Sequence, residues 1–102
     1  LLKVDVEGEE MHVLRGAHDL FVQRRVRAVL LEVHCQLLRR RGIDPWDAPG
    51  LLADHGFSIE VRWPAGFGFI NKTGFVIAER HLVRARQAPN LQILALLPSS
   101  LW

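Results

Sequence analysis

The 102 residues are enough for one domain with a modest core. With 49% apolar and 24% charged residues, disorder is excluded, and no apolar run approaches the roughly 18–20 residues of a membrane span, so the expectation is a soluble, cytoplasmic protein. Net charge is only +2, and the single Cys35 excludes an intrachain disulfide and a cysteine-based zinc site.

Leu1 to Val6 reads as a strand that runs into Glu7 and Gly8. The chain opens directly in this run, without an initiator Met and without the basic start of a signal peptide, so an N-terminally truncated domain is expected. From Glu9, the three- and four-residue steps between Met11, Leu14, Ala17 and Phe21 predict one helical face, ended by Arg24 and Arg25. Gly16 is a poor helix former, and close packing of the helix on a sheet would account for it. Glu7, Glu9 and Glu10 lie where a helix dipole favours acids.

Val26 to Val33 includes an unbroken apolar run, Ala28-Val29-Leu30-Leu31, as expected of a strand buried on both faces of a parallel sheet. It closes on Glu32-Val33-His34. Cys35 to Arg41 fits one or two helical turns stopped by Gly42. Asp44-Pro45 and Asp47 are alternative starts for a helix through Leu51 and Leu52, stopped by Gly56. Phe57, Ile59, Val61 and Trp63 alternate with polar residues and predict a strand with one wet face. Pro64 to Gly68 reads as a turn and Phe75 to Ala78 as a short strand, giving a hairpin with a long connection. Residues 79–102 form a tail of uncertain structure, in which Leu91 to Leu97 fits strand or helix equally.

Two strands joined by a helix make a βαβ unit, and their carboxyl ends share one edge of the sheet. Asp5, Glu7, Glu32 and His34 are expected to converge there, where open α/β sheets bind ligands. Carboxylates and an imidazole suit two tasks: taking a proton from a hydroxyl, or holding a divalent metal that acidifies it. Asp5, inside a strand, needs a partner or a function, because a buried acid is costly alone. His12, His18, His55 and His81 lack ligand spacing and read as structural or solvent-facing. Gly66-Phe67-Gly68 lacks the strand and helix that a phosphate loop requires. Cys35 reads as a buried, inert thiol.

Of the 13 basic residues 11 are arginines, clustered at Arg24, Arg25 and Arg27 and at Arg39, Arg40 and Arg41. No aromatics interleave with them, so cations at helix C-termini are a better reading than a nucleic-acid surface.

The string Leu2-Lys3-Val4-Asp5-Val6-Glu7-Gly8, followed by Glu10 and by Val13-Leu14-Arg15-Gly16-Ala17, resembles the signature of FkbM-type methyltransferases. Val29 to His34 and the Gly56-Phe57 strand start are similar to the segments that follow it in that family, so the likeness extends over roughly residues 1–80. It implies an α/β fold, the C-terminal half of a Rossmann-like class I methyltransferase, with strands four to seven and a last hairpin that turns one strand antiparallel. The glycine-rich loop and ribose-binding acid of the other half are not in this sequence. The resemblance implies S-adenosylmethionine as cofactor and a small-molecule or glycan hydroxyl as acceptor. Asp5, Glu32 and His34 would be catalytic, Asp5 and Glu7 would face the cofactor, and a divalent metal would fit Asp5. The competing readings are a non-catalytic α/β remnant or interaction module and a basic nucleic-acid-binding module. With an apolar strand at its start, the isolated chain is expected to be marginal or self-associating.

Overall fold

The computed structural model describes residues 1–5, 7–63, 66–71, 74–76 and 89–99, with the side chains of 66–71 and 74–76 left aside. In chain order the elements are β1 (Leu2–Val4), α1 (Glu10–Gly16), α2 (His18–Val22), β2 (Ala28–His34), α3 (Cys35–Arg40), α4 (Asp47–Asp54), β3 (Ser58–Trp63), β4 (Gly66–Asn71), β5 (Gly74–Val76) and β6 (Asn90–Leu96). They build one mixed six-stranded sheet in the order β1-β2-β6-β3-β4-β5. β1 and β2 are parallel, with Val4 opposite Leu31. β6 lies antiparallel between β2 and β3, so β3 runs in the same direction as β1 and β2. β4 and β5 extend the sheet antiparallel beyond β3.

Register explains which side chains form the core. Val4, Leu31, Ile93 and Val61 are successive cross-strand neighbours and all are buried. They join Met11, Leu14, Ala17 and Phe21, the predicted helical face, in one apolar cluster with Leu38, Leu52 and Phe57. The next row, Lys3, Leu30, Leu94 and Glu60, faces the other side. There Leu30 is 40% and Leu96 50% exposed. The expectation that β2 is buried on both faces is therefore corrected: among the described residues the helices cover one face, and β2 alternates buried positions with partly buried ones and the exposed Leu30.

The predicted first helix is two helices that share Ala17 as the end of one and the start of the other. Gly16 is exposed, and a Cβ there would meet nothing within 4 Å, so close packing does not explain it. It sits at the break, where its low helix propensity costs least.

Three helices end in the same way. After α2, α3 and α4 the chain takes a left-handed residue, Arg24, Gly42 and Gly56 respectively. In each, the next amide reaches back five residues: Arg25 to Leu20, Ile43 to Leu38 and Phe57 to Leu52. These are Schellman endings, for which glycine is the usual residue. Arg24 accepts the unfavourable backbone and donates from Nη1 to the His55 carbonyl at 2.8 Å.

Further expectations change at the C-terminal side. α4 begins at Asp47, while Asp44 instead accepts the Trp46 amide at 2.9 Å in the preceding turn. Gly66, Phe67 and Gly68 of the expected turn instead begin β4 (Gly66–Asn71), the direct hairpin partner of β3 with Trp63 opposite Gly66. Gly74–Val76 pairs with β4 rather than with β3. Ile77 and Ala78 of the expected last strand, His81, and most of the predicted tail lie outside the described residues. Leu91 to Leu96 resolves as strand, within β6. No helix among the described residues is long and apolar enough to cross a membrane.

Candidate functional site

The parallel pairing of β1 and β2 brings their carboxyl ends side by side. Asp5 follows β1, and Glu32 and His34 are alternate residues near the end of β2, so both project to the same face of the sheet. One donor atom from each of Asp5, Glu32 and His34 lies within 4.8 Å of the others. Three of the four residues expected to converge do so. Glu7 lies exposed in the turn after β1 and is outside this cluster.

The turn that separates Asp5 from α1 is shaped by Gly8, at φ +82°. A Cβ at Gly8 would stand 3.0 Å from the Arg41 guanidinium, which donates to the Gly8 carbonyl at 2.8 Å and pairs with Glu9 at 2.5 Å. The backbone angle favours glycine, and a Cβ would also crowd the end of the Arg41 side chain. Arg41 thereby ties the end of α3 to the start of α1. Glu9, held also by His12, has its carboxyl below the usual range, first through the His12 hydrogen bond and then through Arg41. Arg24 and Arg41, members of the two arginine clusters, thus engage the chain's own backbone.

Glu10 is the residue that sequence reasoning missed. Read as a dipole-favouring acid at a helix start, it is fully buried. Its Oε1 accepts the His34 backbone amide at 3.0 Å and stands 2.5 Å from His34 Nδ1. Its register was the available signal: Glu10, Leu14 and Ala17 are spaced four and three apart on the face that is buried.

The Glu10 contact fixes His34. An Nδ1–H donated to the carboxylate leaves Nε2 as the free nitrogen, 3.9 Å from Asp5 Oδ1. Burial disfavours a charged imidazole, but the Glu10 hydrogen bond and the charges of Glu10, Glu32 and Asp5 outweigh it and raise His34 above the usual histidine range. Cys35, next in sequence, is fully buried, and burial pushes its thiol up, as expected of an inert cysteine. Its amide is held by the Pro89 carbonyl at 2.9 Å, which anchors the end of β2 against the approach to β6.

Beside the cluster a groove runs along the open face of the sheet, lined by Lys3, Asp5, Leu30, Glu32 and Gln92. Its lining mixes apolar and polar side chains, as small-molecule sites do.

Residues 1–59, the part of the chain that forms β1 through the start of β3, match the methyltransferase FkbM domain. The chain belongs to the FkbM methyltransferase family. No curated protein and no solved structure matches it. Family membership carries methyl transfer from S-adenosylmethionine as the general chemistry and a small molecule as the kind of acceptor. Among the described residues the features that bear on that donor are confined to one strand end. Asp5 and Glu7 offer carboxylates at a strand end, but no glycine-rich turn joins a parallel strand to a helix among them.

Proposed function

We propose that this chain carries the acceptor side of an S-adenosylmethionine-dependent O-methyltransferase site, with Asp5 as base and with Glu32 and His34 lining the acceptor. One observation carries the reading: in a chain of this family, Asp5, Glu32 and His34 meet at the carboxyl edge of two parallel strands. S-adenosylmethionine supplies an electrophilic methyl group. The Asp5 carboxylate would take the acceptor's hydroxyl proton as its oxygen displaces that methyl group from sulfur, which would keep the electron pair of the broken bond. Glu32 and the free His34 Nε2 accept hydrogen bonds from neighbouring acceptor hydroxyls, which suits a polyhydroxylated small molecule or glycan. Much of the acceleration then comes from holding the oxygen in line with the methyl.

The strand order supports assignment of β1, β2, β3 and β6 to strands four, five, six and seven of a class I methyltransferase sheet, because β6 is the antiparallel strand set between two parallel ones. Glu7, in the turn after Asp5, is assigned to the cofactor side.

Asp5 is exposed, so Asp5→Ala should change stability by no more than about 0.5 kcal/mol. Methyl transfer to a hydroxyl acceptor should fall by about 10²–10⁴-fold. Undiminished transfer by a folded Asp5→Ala protein would remove Asp5 from the chemistry.

A further inference from the structure

The structure assigns a second property to the same cluster. We propose that Asp5, Glu32 and His34 form a binding site for a first-row divalent cation, with His34 presented through Nε2 because Glu10 holds its Nδ1. The role of the ion in methyl transfer rests on the reading above; its binding does not.

Two carboxylate oxygens and one imidazole nitrogen lie within 4.8 Å of one another. An ion takes such donors at about 2.0–2.2 Å, and Asp5, the exposed member of the three, is the donor with the most room to adjust. Two carboxylates and one imidazole suit a first-row divalent ion, and Mn²⁺, a hard ion matched to the carboxylates, serves as the probe. Glu10 is independent of these donors. It comes from α1, is fully buried, and makes contact with His34 at both Nδ1 and the backbone amide. A carboxylate on the second ring nitrogen is the arrangement that orients metal-binding histidines and raises their basicity. The charge balance agrees: Glu10 stands at His34 Nδ1 and Asp5 and Glu32 lie on the Nε2 side, so three carboxylates surround the ring. Lys3, the cation that lines the neighbouring groove, is outnumbered by Asp5, Glu32 and Glu10. Three protein donors leave coordination positions open. A bound ion would make a neighbouring hydroxyl easier to deprotonate, with Asp5 as the base of the reading above.

The test uses Mn²⁺ alone, with no methyl donor or acceptor, so its failure is distinct from failure of the methyl-transfer reading. The metal-free chain is titrated with MnCl₂ and followed by paramagnetic resonance of the free ion, with the melting temperature read in parallel. One Mn²⁺ should bind per chain and raise the melting temperature. Glu32→Gln and His34→Asn should abolish the shift, and Glu10→Gln should weaken binding about 10- to 100-fold. Glu32 and His34 are only partly buried, so these two variants keep the test valid should Glu10→Gln fail to fold. No binding at about 1 mM Mn²⁺, or binding that survives both Glu32→Gln and His34→Asn, overturns the assignment.

Discussion

His34 and His55 are both half-buried imidazoles at the C-terminal end of a regular element, β2 and α4. Their surroundings are opposite. His34 meets the Glu10 carboxylate and faces Asp5, with Glu32 on the same strand. His55 packs against the rings of Phe21 at 5.2 Å and His18 at 5.3 Å, and its carbonyl is occupied by Arg24. Carboxylates hold His34 above the usual range. Burial, followed by the charges of His18 and Arg24, holds His55 below it despite Asp54. Similar exposure therefore does not define a functional histidine. The neighbours do: one imidazole is surrounded by carboxylates, which favour positive charge at or beside the ring, and the other sits in a packing joint between α2 and α4 that disfavours charge.

The largest effect should come from the packing joint. Phe21 is buried, stacks edge-on against Phe57 at 5.7 Å and touches His55. Phe21→Ala should cost about 3–5 kcal/mol in chemical denaturation, through lost burial and the cavity left behind. A loss below about 1 kcal/mol would mean that the joint closes without its ring and that His55 is not held by packing.

A smaller loss should come from the other region. Glu10→Ala removes the acceptor of the His34 amide and the partner of Nδ1, which should cost about 1–3 kcal/mol. Glu10→Gln should cost less, because its amide oxygen can still accept the backbone N–H. The Glu10 Oε2 has no hydrogen-bond partner among the described residues, so that substitution breaks no hydrogen bond at this atom. If Glu10→Ala were neutral in denaturation, the pair would be incidental and the contrast with His55 would fail.

The two regions also differ in how far the sequence disclosed them. The helical face Met11, Leu14, Ala17 and Phe21 was legible because its period is local, and it is the face that is buried. The convergence of Asp5, Glu32 and His34 was legible because a βαβ connection aligns strand ends whatever the loop details. Glu10 was not, because a carboxylate in a first helical turn has an adequate local explanation in the dipole, and only the distant His34 shows otherwise. β6 was ambiguous for a similar reason. Leu94 and Leu96 point to the open face of the sheet, so the alternation of Leu91, Ile93 and Ala95 with polar residues is incomplete. Its position between β2 and β3 depends on pairing across long sequence distances. β4 was hidden by Gly66 and Gly68, which read as turn residues but are ladder partners of Trp63 and Val61.

The smallest predicted effect is on pH dependence, and it isolates His55. A folded-state pKa below the reference value of 6.5 means that the unfolded chain binds the proton first as pH falls. Above that value both states are neutral at His55 and nothing is lost. Between it and the lower folded value, stability declines with acid, and below the folded value the loss is complete. His34 works in the opposite direction, since its raised pKa adds stability as the pH falls, so the wild-type curve alone mixes the two. The informative quantity is the difference between wild type and His55→Gln in urea midpoint, measured at about pH 7.5 and again at about pH 5. The variant lacks the titrating ring, so wild type should lose stability relative to it on acidification. His18→Gln should reduce that relative loss, because the His18 charge is one cause of the depressed value. A wild-type minus His55→Gln difference that does not change between the two pH values would show that His55 takes up its proton as freely folded as unfolded, and the packing joint would then be no more hostile to charge than the carboxylate cluster around His34.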